Sequence, residues 1–394
     1  MYLLLHYGEI GLKGKNKPYF EKKLIENVKR GIKGEYISTK RINGRIVAEL
    51  KDDYNEENII KTISGMPGLS WFAFAQLVEN DLEKIKGIAL NCVPKNAKTY
   101  KVSVVRADKR FPLTSQETML EVADFIYKKN PMKADMKNPD IEINIEITSI
   151  GSFVFPKKYR SSAGMPVGSS GKVLVLLSGG IDSAVAAYLM MKRGCRCEFI
   201  HFHALRSGQE VINSKIKPII EALNKYQNSS FLHTMPYHNF ALEKVPEKLD
   251  VILFRRFMIR IAAMIAKQTN CKAIVLGDSL AQVASQTLEN IANLEGIAAV
   301  PLLRPLLAYD KNEIIDIGKK IGTYELSIQD YKDCCSIISR HPSTAANPEK
   351  IKEAESKIDM QKLIEKTLKQ KEAFIIKHNE VKKVKQNDVK KNDA

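Results

Sequence analysis

The chain has 394 residues, 44% apolar and 27% charged, the balance of an ordinary soluble protein long enough for two or three domains with real cores. Lysine and arginine outnumber aspartate and glutamate by 62 to 45, a net charge of +17. That surplus fits a polyanionic partner, nucleic acid or an anionic membrane face, and fits a merely lysine-rich composition equally well. With six cysteines, no secretory leader and no apolar run of membrane length, the sequence argues against a secreted disulfide scaffold and a membrane span, and for a reducing cytoplasm.

Residues 1–7 read as a strand, and 8–17 as a glycine-rich loop carrying Lys13 and Lys15. Residues 18–33 have helical spacing, with Phe20, Leu24, Ile25, Val28 and Ile32 on one face. Strands at 35–40 and 45–50, a helix at 56–63 and a closing strand at 69–79 suggest a small ferredoxin-like α+β unit, with a boundary at residue 64 before Gly65, Pro67 and Gly68. A second α+β unit, 65–160, has a helix at 82–92, a strand at 101–106, a helix at 115–129 and an alternating strand at 141–147. Its run Arg106, Lys109, Arg110 and Phe111 interleaves basic groups with an aromatic, as an RNA backbone and an unstacked base require, although a solvated loop has the same composition. Lys157, Lys158 and Arg160 then open a Gly/Ser-rich stretch, 161–171, that reads as a linker.

Polarity changes sharply after it. Residues 172–177 form an apolar run of the kind found in a parallel strand buried on both faces. Ser178, Gly179, Gly180, Ile181, Asp182 and Ser183 make a glycine turn, and a helix follows to Lys192 with Asp182 or Ser183 as its N-cap. A strand, a glycine turn and a helix start form an anion site. An acid inside a phosphate cradle calls for a bridging hard cation, so Asp182 is the candidate Mg²⁺ ligand. The turn lacks a Gly-Lys-Ser/Thr ending and resembles instead the SGGxDS signature of the ATP pyrophosphatase (PP-loop) family, which splits ATP between its α and β phosphates.

The remaining elements of this α/β domain, 172–347, read as an open parallel sheet. A strand at 196–203 ends in His201, Phe202 and His203, at the carboxyl edge where ligands bind. A helix at 209–226, a strand at 230–236 and a long helix at 251–267 carrying Arg255, Arg256 and Arg260 come next. A strand at 272–276 runs into Gly277, which permits close backbone approach, and Asp278, a second candidate Mg²⁺ ligand or a turn residue; Gln286 can hydrogen-bond a base or ribose. After a helix at 309–322, the segment 348–394 reads as a basic helix over 351–377 and a tail.

The motifs YGEIGLKGKN at 7–16, RADKRFP at 106–112 with NPDIEINIEI at 138–147, LLSGGIDS at 176–183 and LGDSLAQVASQTLENI at 276–291 occur in the order of the tRNA 4-thiouridine synthetases, the ThiI family of tRNA sulfurtransferases, which the chain resembles over nearly its whole length. The resemblance implies a ferredoxin-like domain and an RNA-binding THUMP domain ahead of a PP-loop catalytic domain. It implies that ATP binds at Leu176, Leu177, Ser178, Gly179, Gly180, Asp182, Ser183, His201, Phe202, Arg255, Gly277 and Gln286. It further implies tRNA contacts from Lys13, Lys15, Arg106, Lys109, Arg110, Lys157, Lys158, Arg160, Arg256 and Arg260.

By residue chemistry alone, the adjacent Cys334 and Cys335 read as a buried or incidental pair, ill suited to a structural disulfide or a metal site. The resemblance reverses that reading: DCCSIIS matches the family segment with the catalytic cysteine and puts Cys335 at its position, with Cys334 beside it. The implied reaction adenylates uridine 8 and replaces its O4 with sulfur to give 4-thiouridine; a thiamine-thiazole sulfur-transfer role also belongs to the family. Longer members append a rhodanese domain that carries the persulfide, which this sequence lacks, so a separate persulfide carrier such as a cysteine desulfurase, or free sulfide, is the expected donor. A homodimer is compatible with the sequence. The rival readings are a PP-loop modifier of another nucleotide and a catalytically silent tRNA-binding protein.

Overall fold

The computed structural model describes residues 1–331, 334 and 342–384; they form two compact units, one of Met1–Pro166 and one starting at Val167. The first unit threads β1 (Tyr2–His6), β2 (Tyr36–Ile42), β3 (Arg45–Leu50), β4 (Trp71–Val78), β5 (Thr99–Arg106), β6 (Lys133–Ala134), β7 (Ile141–Thr148), β8 (Gly151–Phe155) and β9 (Tyr159–Arg160) into one sheet. Its order is β2-β3-β1-β4-β8-β7-β5-β6, with β9 on β4.

β4 joins the two α+β halves of this sheet. Trp71–Ala75 pair with β1, whereas Gln76–Val78 pair with β8. Leu24 and Val28 of the helix Lys17–Gly31 and Ile59 and Ile63 of the helix Glu56–Ser64 pack on Leu3, Leu5 and Phe72. In the other half, Ile85, Val122 and Ile126 from the helices Leu82–Asn91 and Ser115–Lys129 cover Val102, Ile143 and Ile145. The stretch that composition marks as a linker is pinned down here: Gly68 N donates to Ala163 O at 2.9 Å, Ser161 Oγ donates to Ile63 O at 2.7 Å, and Met165 is buried in the first core.

The second unit is a seven-stranded sheet of β10 (Lys172–Leu176), β11 (Arg196–His203), β12 (Ser229–Pro236), β13 (Ile274–Val275), β14 (Leu302–Leu303), β15 (Glu372–Lys377) and β16 (Glu380–Val384), in the order β14-β13-β10-β11-β12-β15-β16. The first five strands run parallel; β15 pairs antiparallel with β12, and β16 antiparallel with β15. From β10 the chain winds outward through β11 and β12, then returns to the other side of β10 with β13. That reversal creates a topological switch point, and a crevice opens there at the strands' carboxyl ends. Core residues cover both faces, which is why β10 reads as a nearly unbroken apolar run.

Two expectations change. The helix expected at 209–226 is broken into Gly208–Ile212 and Ile216–Gln227, because Pro218 has no N–H to donate to the carbonyl of Ser214. The helix expected at 351–377 is two helices, Pro348–Ser356 and Met360–Lys369, followed by the hairpin β15–β16. Asn379, with φ +58°, turns the hairpin, and Phe374 and Ile376 alternate into the core beside β12.

Candidate active site

The turn after β10 sits at the switch point. The helix it starts is Ile181–Lys192, and its N-cap is Gly180 rather than Asp182 or Ser183. Gly180 has no side chain to satisfy the first amides, so this helix start stays open to an anion. The serines brace the turn from inside: Ser183 Oγ accepts from Ser178 N and donates to Gly180 O, while Ser178 Oγ accepts from Gly180 N, each at 3.2 Å. Gly179 has φ +86°, and a Cβ there would lie 2.8 Å from Ile216 Cδ1. Gly277 passes so close that a Cβ would lie 2.9 Å from Ser183 N. These positions need glycine because backbone meets backbone or side chain with no room between.

Asp182 is held by a donor on each oxygen. Lys311 Nζ reaches Oδ1 at 2.6 Å and Gln282 Nε2 reaches Oδ2 at 2.8 Å. Asp278 is neither a helix cap nor available to a metal. It is 5% exposed and accepts from Arg255 Nη2 at 2.7 Å on both oxygens and from Arg304 Nε at 3.2 Å. Arg255 also donates to Ser285 O at 2.7 Å, so this guanidinium ties the long helix Asp250–Gln268 to the loop after β13. Gln286 Nε2 lies 3.5 Å from Asp278, and among the described residues Gln286 Oε1 and Arg304 Nη2 are buried without a hydrogen-bond partner. Buried polar atoms unpaired within the protein call for a water or a ligand partner. Among the described residues, no three His, Cys, Asp or Glu side chains converge as a metal cage.

His201 lies behind the turn rather than open to it. It is fully buried, Nδ1 is 2.6 Å from Leu177 O, and Nε2 is 2.7 Å from Tyr331 OH. A carbonyl only accepts, so Nδ1 carries the proton and Nε2 accepts from the tyrosine. Burial lowers its pKa to about 4, and the ring is neutral at pH 7. Phe202 packs edge to face on Phe254, with centroids 6.0 Å apart. Leu176, Leu177, Ser178, Phe202, Met258 and Cys334 line a small cavity of about 70 Å³ at the strand ends. Cys334 is 1% exposed and lines this cavity together with Ser178 of the turn; Cys335 lies outside the described residues.

The basic residues separate into different environments. Arg256 and Arg260 both grip Glu355, with Arg256 Nε–Oε1 at 2.8 Å and Arg260 Nη1–Oε1 at 2.6 Å. They lock the long helix to the helix Pro348–Ser356 instead of facing outward. Arg106 donates to Phe111 O and Leu113 O, and Phe111 is buried in the core, so the aromatic of that run has no face for a base. Arg110 pairs with Asp108 at 2.8 Å, while Lys109 is exposed. Lys13 lies 5.3 Å from the Phe20 ring and Lys15 is exposed. Lys157 and Lys158 extend over Tyr159 and Trp71 at 4.6 and 5.2 Å, next to exposed Arg160 on β9. Exposed cations beside aromatic rings suit a polynucleotide. Sequence reasoning missed Lys311, Gln282 and Tyr331, whose spacing in the chain gives no sign that they meet the turn.

Sheet order, switch-point turn and glycine contacts define the second unit as a PP-loop nucleotide-binding α/β domain. Three family profiles match the chain: ThiI ferredoxin-like domain over residues 2–73, THUMP domain over 79–154, and thiamine biosynthesis protein (ThiI) over 168–360. A probable tRNA sulfurtransferase of Caldanaerobacter subterraneus subsp. tengcongensis is 39% identical over 92% of this chain and 97% of its own length. One of Acetivibrio thermocellus is 36% identical over 95% and 98%. A solved 4-thiouridine synthetase–RNA complex with bound ATP superposes with a TM-score of 0.85 at 32% identity, covering 95% of this chain and 99% of that one. The chain belongs to the ThiI family of tRNA sulfurtransferases, and the expected ferredoxin-like, THUMP and PP-loop domains are all present.

Proposed function

We propose that this protein is an ATP-dependent tRNA sulfurtransferase that converts uridine 8 to 4-thiouridine. The observation that carries the reading is the open, glycine-dependent SGGIDS turn at the switch point of a chain so closely related to probable tRNA sulfurtransferases. The turn's amides bind the ATP phosphates, with Arg255, Gly277, Gln286 and the wall of Leu176, Leu177 and Phe202 around the nucleoside. His201 supports this wall from behind through Leu177 O and Tyr331. Asp182 suits Mg²⁺, which takes one or two carboxylates plus phosphate oxygens, provided Lys311 yields Oδ1. When bound, the ion neutralises phosphate charge.

Uracil O4 attacks the α-phosphorus and pyrophosphate leaves; N3, still protonated during the attack and acidified by O-adenylation, then loses its proton to solvent. Hydrosulfide, or the terminal sulfur of a persulfide on Cys335, then attacks C4, and AMP departs with O4; on the persulfide route a second thiol, Cys334 or an external one, attacks the Cys335 sulfur and breaks the S–S bond, which releases 4-thiouridine and leaves a disulfide that an external thiol reduces. Activation is needed because an amide-like oxygen is a poor leaving group and AMP a good one. Lys13, Lys15, Lys109, Lys157, Lys158 and Arg160 contribute to tRNA binding, and the protein acts in the cytoplasm on sulfur from a persulfide carrier or free sulfide. No helix among the described residues is long and apolar enough to cross a membrane. The family's thiamine name adds sulfur transfer for thiazole synthesis as a second role.

The test is incubation with an unmodified tRNA transcript, Mg-ATP and either sulfide or a persulfide donor, followed by nucleoside mass spectrometry, beside Cys335→Ser. Wild type makes 4-thiouridine at position 8 together with AMP and pyrophosphate, and the variant fails with the persulfide donor. AMP without 4-thiouridine overturns the sulfur chemistry. No AMP in the presence of tRNA overturns the enzymatic reading.

A further inference from the structure

Gln282 is bound to the reaction centre by one half of its amide only. Its Nε2 donates to Asp182 Oδ2 at 2.8 Å, which fixes the orientation of the carboxamide. The other half, Oε1, is buried with no hydrogen-bond partner among the described residues. The backbone is arranged to hold it there. Ala281, just before it, has φ +60°, a conformation that side-chain-bearing residues rarely adopt. Three backbone bonds keep that shape: Leu280 N to Leu307 O at 3.1 Å, Ala281 N to Gln286 O at 2.9 Å, and Gln282 N to Ser279 O at 3.3 Å. A strained residue over-determined by its surroundings, next to a buried acceptor with nothing to accept, marks a place prepared for a ligand donor.

We propose that Gln282 is the residue that reads the uracil edge, its Oε1 accepting the N3–H of the target base. This rests on the tRNA-thiolation reading above. O4 has to reach the α-phosphorus at the turn that contains Asp182, and N3–H is the donor next to O4 on the same edge of the ring. Gln282 is one hydrogen bond from that carboxylate. An acceptor at this point favours uracil over cytosine, whose N3 is itself an acceptor and would face Oε1 lone pair to lone pair. A site built to hydrogen-bond a substrate N–H rejects analogues lacking it strongly, because its own buried group is left unpaired. Gln282 thereby orients the base for attack and holds Asp182 with the other end of the same amide.

The experiment is a cycle on both partners. Single-turnover AMP release is measured for wild type and Gln282→Met on tRNA carrying uridine or 3-deazauridine at position 8; the analogue keeps O4 and replaces N3–H by C–H. Intrinsic reactivity of the two bases cancels in the ratio of ratios. The expected result is that the uridine preference of wild type falls by roughly tenfold or more in Q282M, the size of a lost hydrogen bond to a substrate N–H. Gln282→Glu, which keeps an acceptor oxygen, retains the preference at a lower rate. A preference unchanged within about twofold in Q282M means that Gln282 only props Asp182, and overturns the proposal. Loss of the preference in Q282E overturns it as well, and this second variant decides the matter if Q282M fails to bind nucleotide. Absence of AMP release by wild type would instead strike the thiolation reading.

Discussion

Asp278→Ala is the substitution whose cost the structure defines best. The carboxylate accepts at 2.7 Å on both oxygens from Arg255 and at 3.2 Å from Arg304, and the side chains of the three residues are 6%, 10% and 8% exposed. Removing it leaves the buried Arg255 guanidinium without its anion and takes one of two from Arg304, which keeps Glu295 Oε1 at 2.6 Å. Breaking a buried ion pair from one side costs about 3–5 kcal/mol, chiefly because an uncompensated charge stays inside. At roughly 2–4 °C per kcal/mol for a unit of this size, thermal unfolding should move down by about 6–20 °C. Circular dichroism melts on the full chain read this directly, and binding of a non-hydrolysable ATP analogue reports on the loop that Arg255 holds through Ser285 O. Adding Arg255→Met to the alanine variant removes the orphaned cation and recovers part of the loss, since apolar replacement of a buried ion pair is often neutral. A D278A melt within roughly 2 °C of wild type would refute the reasoning, for it would mean that the cluster is solvated.

Two further predictions concern charge. His201 has its pKa lowered by burial to about 4, so the unfolded chain takes up a proton below pH 6.5 that the native state refuses. Its contribution is complete above pH 6.5 and is lost as pH falls toward 4, at up to about 1.4 kcal/mol per unit, or about 2 kcal/mol by pH 5. Burial lowers His203 and His233 in the same direction. Urea unfolding at pH 7.5 and 5.0 should show His201→Asn losing less stability between the two than wild type; an equal loss would contradict it. Arg256→Ala should weaken tRNA binding by less than about twofold while lowering stability by about 1–3 kcal/mol, because its partner is Glu355. Burial pushes the Glu355 pKa up, yet hydrogen bonds from Arg256 and Arg260 prevail and hold it at about 2. A large loss of tRNA affinity with unchanged melting would return this arginine to the RNA surface.

What the sequence determined by itself is local. An apolar run, two glycines and a helix-forming stretch specify strand, turn and helix within about twenty residues, because each depends on period, propensity and sterics inside its own segment. The strand Arg196–His203 and the helix around Arg255 were legible for the same reason. The C-terminal hairpin was not, since a short apolar run such as Ala373–Ile376 fits either a helix face or a strand until a neighbouring edge is there to pair with it. Tertiary structure alone decided which charges meet. Asp182 finds Gln282 and Lys311 about a hundred residues or more away, Arg255 and Arg304 share Asp278, and Arg256 and Arg260 turn inward to Glu355. A lysine or glutamine looks the same in sequence whether it is solvated or holds a buried carboxylate. Only packing, which sets distance and excludes water, makes one an active-site group and the other a surface charge.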